Sequence, residues 1–213
     1  MIRTIFSLTI CLITSFNLSA QSKFKVGINA APSYEWLKLS DELKSGPYAS
    51  NFSGRYRMNG GVLLGYQANE RLFIQTGFVY LDKGYFFTGN TYDRRERALH
   101  INYLNVPLLL TYLLLNKEKW QFGPTLGLYT GIKLFTFHKQ YRYGKLYYWD
   151  NLNNQYSGNN YYVGAAAGLS LSHHLTTNWS ISFQPQWVIQ IDNGFGDNKL
   201  SSLLANFIIW KSF

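Results

Sequence analysis

Chemistry has few places to sit in this chain. Glu35, Arg55, Arg57, Lys133 and Asp192 are charged residues that fall in the small, polar phase of alternating segments. Enclosed charges must be paired, so these five predict an internal ion-pair network toward one end of a closed structure. As a function, that network would be a narrow polar path for ions or small solutes. As structure, it would be a plug, and the plug is the expectation. His100 and His138 lie toward the same end, and Ser157 sits in a connection. A hydroxyl beside an imidazole is the machinery of a lipid hydrolase or acyltransferase, but no spacing ties these three together. His173 and His174 lie at the opposite end, where interfacial polar residues also belong. There is no Gly-rich phosphate loop, no paired-carboxylate motif and no cluster with metal-ligand spacing. The expectation is therefore no catalytic residue, no metal and no cofactor.

The segments that carry these residues share one pattern. From Trp120 to Leu134, one set reads Trp120, Phe122, Pro124, Leu126, Leu128, Thr130, Ile132, Leu134. The other reads Gln121, Gly123, Thr125, Gly127, Tyr129, Gly131, Lys133. Strict period-2 alternation marks a strand with one apolar face. Ordinary strands run ~5–6 residues, whereas a tilted strand crossing a bilayer needs about 9–11. The same pattern recurs over 24–36, 55–68, 72–86, 99–114, 161–172, 179–192 and 200–213. Pro32 predicts an irregularity in the first segment and Pro107 a bulge in the fourth. The segments number eight, an even count, as bacterial single-chain barrels have, and the connections alternate long and short. Short periplasmic turns and longer external loops give that alternation. It places both ends of the barrel in the periplasm and the five charges near its extracellular end.

Composition agrees. Aromatics make up 18% and charged residues 15%, below the ~25% charge of soluble domains. Residues 1–20 read as a secretory signal peptide: Arg3, an apolar run from Ile5 to Phe16, and a cut after Ala20. The only cysteine, Cys11, lies within that run, so residues 21–213, the barrel domain, contain none to form a disulfide. A net charge of +9 in an exported protein points to outer-membrane lipid and lipopolysaccharide phosphates rather than to nucleic acid. The competitor is a soluble lipocalin-type barrel with its apolar faces inward. Trp120, Trp179, Trp187, Tyr34, Tyr56 and Tyr66, placed near segment ends like an interfacial girdle, argue against it.

Three stretches invite partners. Residues 138–160 read as a long external loop rich in aromatics, with Arg142 and Lys145. It is a protein- or glycan-binding loop or an extension of the flanking strands, and both readings stay open. The run 93–97 reads as a solvated loop tip. Phe207, Ile209 and Phe213 share a phase that fits a barrel-insertion signal, with Lys211 interrupting it at the interface.

The stretch Tyr103-Leu104-Asn105-Val106-Pro107-Leu108-Leu109-Leu110 resembles a motif of the PorT-like outer-membrane β-barrel family. Gly61 to Gly65, Gln75-Thr76-Gly77 with Lys83-Gly84, and Phe122-Gly123-Pro124 also look like that family's strands. The resemblance implies an outer-membrane barrel without an assigned chemistry, some relatives acting in secretion or gliding machinery. Where the family usually has Glu, this chain has Asn105, so its interior cations must be balanced in another way.

The reading is an all-β, eight-stranded antiparallel up-and-down transmembrane β-barrel. It serves the cell outer membrane as a structural or interaction protein without enzymatic activity. An accessory barrel of a protein secretion system and a lipid-modifying enzyme are the alternatives.

Overall fold

The computed structural model describes residues 23–38, 52–84, 86–88, 95–142, 145–151, 160–192 and 199–213. Eight long strands form the wall. They are β1 (Phe24–Lys38), β2 (Arg55–Gln67), β3 (Leu72–Lys83), β4 (Arg95–Tyr112), β5 (Trp120–Arg142), β6 (Tyr161–His174), β7 (Trp179–Gln190) and β8 (Lys199–Ser212). Each pairs antiparallel with its chain neighbours, and β1 pairs with β8 to close the ring. The described residues contain no helix.

The apolar faces point outward. Ile28, Val62, Phe78, Leu108, Leu126, Leu169, Leu203 and Ile209 are among the exposed large side chains. A soluble barrel would bury this set, so the lipocalin alternative fails. Trp179 and Trp187, both exposed, stand eight residues apart on β7. That is about 27 Å of strand at ~3.4 Å per residue, or about 20 Å of height at a tilt of ~40°, close to the ~25 Å apolar band of an outer-membrane barrel. Leu126 faces out at 62% exposure, six residues above Trp120 and near mid-band. Leu126→Arg should cost ~2–4 kcal/mol, and the same change at Leu134, beyond the band, only ~0–1. Urea unfolding of the barrel in lipid vesicles measures both.

Pro32 makes the expected irregularity, whereas Pro107 makes no bulge. At Pro32 the β1–β8 ladder skips from Ala30↔Phe207 to Ser33↔Leu204 without changing register. At Pro107 the β3–β4 ladder skips from Gln75↔Leu109 to Val79↔Asn105, again in register. Proline has no N–H to give the ladder, so bonds are lost on one side while the strand runs on. The register shift lies instead between Asn102 and Tyr103, where Leu134 is the extra residue on β5. Leu134 and Phe135 consequently both face outward, at 43% and 38% exposure.

Two strands also outrun their expected ends. Arg95–Leu99 pairs with His138–Arg142, so 93–97 is not simply a loop tip: residues 95–97 belong to β4, while 93 and 94 fall outside the described residues. The stretch expected as a loop from His138 begins as β5 and turns back as the short strand Lys145–Asn151. The alternation stopped being legible because strands above an apolar band need no apolar face. β3, conversely, ends at Lys83 rather than Phe86: Gly84 takes φ +145°, and a separate short strand, Phe86–Thr88, pairs with Glu96–Ala98.

Candidate functional site

The middle of the barrel is filled by polar side chains from most of the wall. Gln75 of β3 and Gln184 of β7 form a reciprocal carboxamide pair, Gln184 Nε2 donating to Gln75 Oε1 at 3.0 Å. Gln184 Nε2 also donates to Ser170 Oγ at 3.1 Å, and the Gln184 backbone carbonyl accepts from Asn206 Nδ2. Asn29 Nδ2 donates to Asn206 Oδ1, and Tyr129 OH donates to Gln186 Oε1. All of these side chains are buried. Nearer the short turns, the Phe73 ring meets Trp210 edge-on, and Trp210 Nε1 donates to Ser182 Oγ. An eight-stranded barrel is just wide enough for its side chains to fill, and here they do.

Above this layer lies one connected charged network. Glu35 and Lys83 are fully buried, with Nζ 3.2 Å from both carboxylate oxygens. Ser202 Oγ bonds to both partners. Ser33 Oγ donates to Glu35, Asn59 Nδ2 donates to Ser33 Oγ, and Asn59 Oδ1 accepts from the Asp82 backbone N–H at 2.8 Å. The Asp82 carboxylate then meets His100 Nδ1 at 2.9 Å and Arg57 Nη1 at 3.6 Å. Arg57 Nη2 donates to Leu99 O, and Nη1 lies 3.2 Å from His100 Nε2. His100 can donate its Nδ1–H to Asp82 and accept from Arg57 at Nε2, which leaves the buried Arg57 Nε without a hydrogen-bond partner among the described residues. The Phe137 ring stacks on His100, with centroids 4.4 Å apart.

This second cluster closes a seam. The β2–β3 ladder ends at Gly60↔Tyr80. Beyond it, Asn59 and Arg57 span the gap by side-chain bonds to β3 and β4. The β4 stretch from Ala98 to Tyr103 is buried at every position, so it is covered on both faces.

Of the five expected network residues, only Glu35 and Arg57 lie in this network, and they are not paired with each other. Arg55, directly opposite Glu35 in register, instead lays its guanidinium over the rings of Phe86 and Tyr141. Asp192 accepts from the Val163 backbone N–H at 3.1 Å, and the Lys133 backbone N–H donates to Asn160 O. The partners missed were Lys83, Asp82 and Ser202. Lys83 was within reach, since it continues the inward phase of Gln75 and Gly77. Asn105 is fully buried against Gly131 with neither amide atom hydrogen-bonded among the described residues. Glu35 pairs with Lys83, and Asp82 with Arg57.

The histidines do not assemble. His138 pairs with Leu99 and His100 with Phe137, so the two project to opposite faces of the sheet. Ser157 lies outside the described residues. His173 stacks with Trp120 at 4.2 Å at the short-turn end. Among the described residues no three His, Cys, Asp or Glu side chains gather as a metal site.

A family model described as outer membrane protein beta-barrel domain matches residues 19–196. No curated protein matches the chain in sequence. Neisserial surface protein A has a similar solved structure, at 12% identity and a TM-score of 0.50 over 90% of this chain and 98% of that one. Ail of Yersinia pestis gives 9% identity and 0.43 over 88% and 99%. The N-terminal barrel of Pseudomonas aeruginosa OprF gives 12% and 0.42 over 89% and 97%. The first likeness is one of fold.

Proposed function

The chain belongs to the outer membrane protein β-barrel domain family, and on that premise we propose that it is a non-enzymatic barrel of structural or interaction type, closed to solutes. One observation carries the reading: the interior is spanned by buried, mutually bonded side chains from Asn29 and Gln75 up to Glu35 and Lys83. The groups that could do chemistry are committed elsewhere. Both ring nitrogens of His100 are engaged. Ser202 is buried between Glu35 and Lys83, its hydroxyl accepting from the lysine and donating to the carboxylate.

In this reading residues 1–20 are a cleaved signal peptide and the short turns and both ends of the barrel face the periplasm. The long connections face outward, and membership of the PorT-like group follows from the strand motifs. Lipid and lipopolysaccharide surround the wall. A protein or glycan partner meets the outer hairpin of β5 and Lys145–Asn151, where Leu146 and Tyr148 are exposed. Purified folded protein should add no steady current to a planar lipid bilayer; a reproducible ion-selective conductance would overturn the closed interior. Deleting residues 141–156 should leave the barrel resistant to SDS until boiled while abolishing partner capture by cells.

A further inference from the structure

At the short-turn end the outward phase of β8 runs Leu203, Phe207, Ile209 and then Lys211. Lys211 is exposed, yet its ammonium is not left to solvent alone. Nζ lies 5.7 Å from the Trp179 ring centroid and 5.4 Å from that of Phe213. Both rings are themselves partly exposed, at 43% and 37%. Two aromatic faces hold one cation on the outer wall, at the level where aromatic belts meet lipid headgroups. Next along the same rim, Phe24 is 66% exposed and packs on Tyr66 at 4.8 Å. The short-turn end is also basic: Lys23, Arg71, Lys117, Lys119 and Lys211 stand against Glu70 and Glu118, while Lys25 is buried inside over the Phe73 ring.

We propose that Lys211, held between Trp179 and Phe213, is a docking point for the phosphate of an anionic phospholipid in the leaflet at the short-turn end. The inference rests on the membrane reading above. Two features favour this occupant. The site is continuous with the lipid-facing band, since Ile209 and Ile181 lie directly beneath it at 55% and 43% exposure. The charge of the rim complements an anionic headgroup, and a zwitterionic headgroup offers no net charge to match it.

The test uses the folded full-length barrel in vesicles of phosphatidylcholine alone or with phosphatidylglycerol, reading lipid retention by native mass spectrometry. Phosphatidylglycerol should be retained about five-fold over phosphatidylcholine, the ratio that ~1 kcal/mol per basic side chain at an anionic surface corresponds to. Lys211→Gln should bring the ratio to about one, and Lys211→Arg should keep it. Equal retention of the two lipids by the unaltered barrel, or a preference that survives Lys211→Gln, overturns the proposal. Loss of SDS resistance before boiling in the unaltered protein would instead overturn the membrane reading on which it rests.

Discussion

Replacing Lys83 by methionine is expected to destabilise the barrel by ~3–5 kcal/mol, the cost of leaving a buried carboxylate without its counter-charge. Glu35 is fully enclosed, and its other bonds come from the hydroxyls of Ser33 and Ser202. Neither hydroxyl carries charge. Glu35→Ala should cost a similar amount by stranding the ammonium. The decisive variant removes both charges: Glu35→Gln with Lys83→Met should recover most of the loss, because the pair's attraction in the interior largely repays only its own desolvation. Unfolding in urea, followed by the mobility of unboiled protein on a gel, gives all three values. If the double variant were as unstable as either single one, the pair would be acting through packing rather than charge.

Gly77→Val should remove the folded, SDS-resistant form altogether. Gly77 has φ +143°, a conformation side chains rarely adopt. A Cβ there would lie 2.2 Å from Val62 O and 2.7 Å from Leu63 Cα, both backbone atoms of β2. Those atoms cannot give way without parting the β2–β3 ladder, where Gly77 is paired with Leu63. The other neighbour offers no compensation, because the β3–β4 ladder is already interrupted around Pro107. Gly54→Ala is the contrast. The nearest atoms to its Cβ would be the far end of the Tyr34 side chain, 38% exposed and packed on Tyr56 and Trp36, rather than backbone. The expected change there is within about 0.5 kcal/mol, as for most surface substitutions. Refolding yields of the two variants in detergent separate a backbone clash from the mere loss of glycine.

Much of the candidate site was legible residue by residue without being legible as a site. Asn29, Gln75, Gln184 and Tyr129 all fall in the inward phase of their segments, so their enclosure follows from alternation. Trp210 and Phe73 do too, which places two aromatic rings inside the barrel. The pairing of Glu35 was not legible. Arg55 lies opposite it across the β1–β2 ladder, and register alone would join them. Lys83, two strands away, reaches it through the interior instead.

The amino-acid sequence by itself determined the number of wall strands, which face of each is apolar, and the alternation of long and short connections. Periodicity is a local property, and a period of two assigns every side chain to one face whatever the neighbours are. Only the tertiary structure decided which inward residues share a height. Height depends on strand stagger around a closed ring, and stagger is a property of all eight strands together. That is why Lys83, Glu35 and Ser202 meet, why Arg57 closes the seam to Asp82 and His100, and why β4 and β5 rise past the apolar band to pair above it.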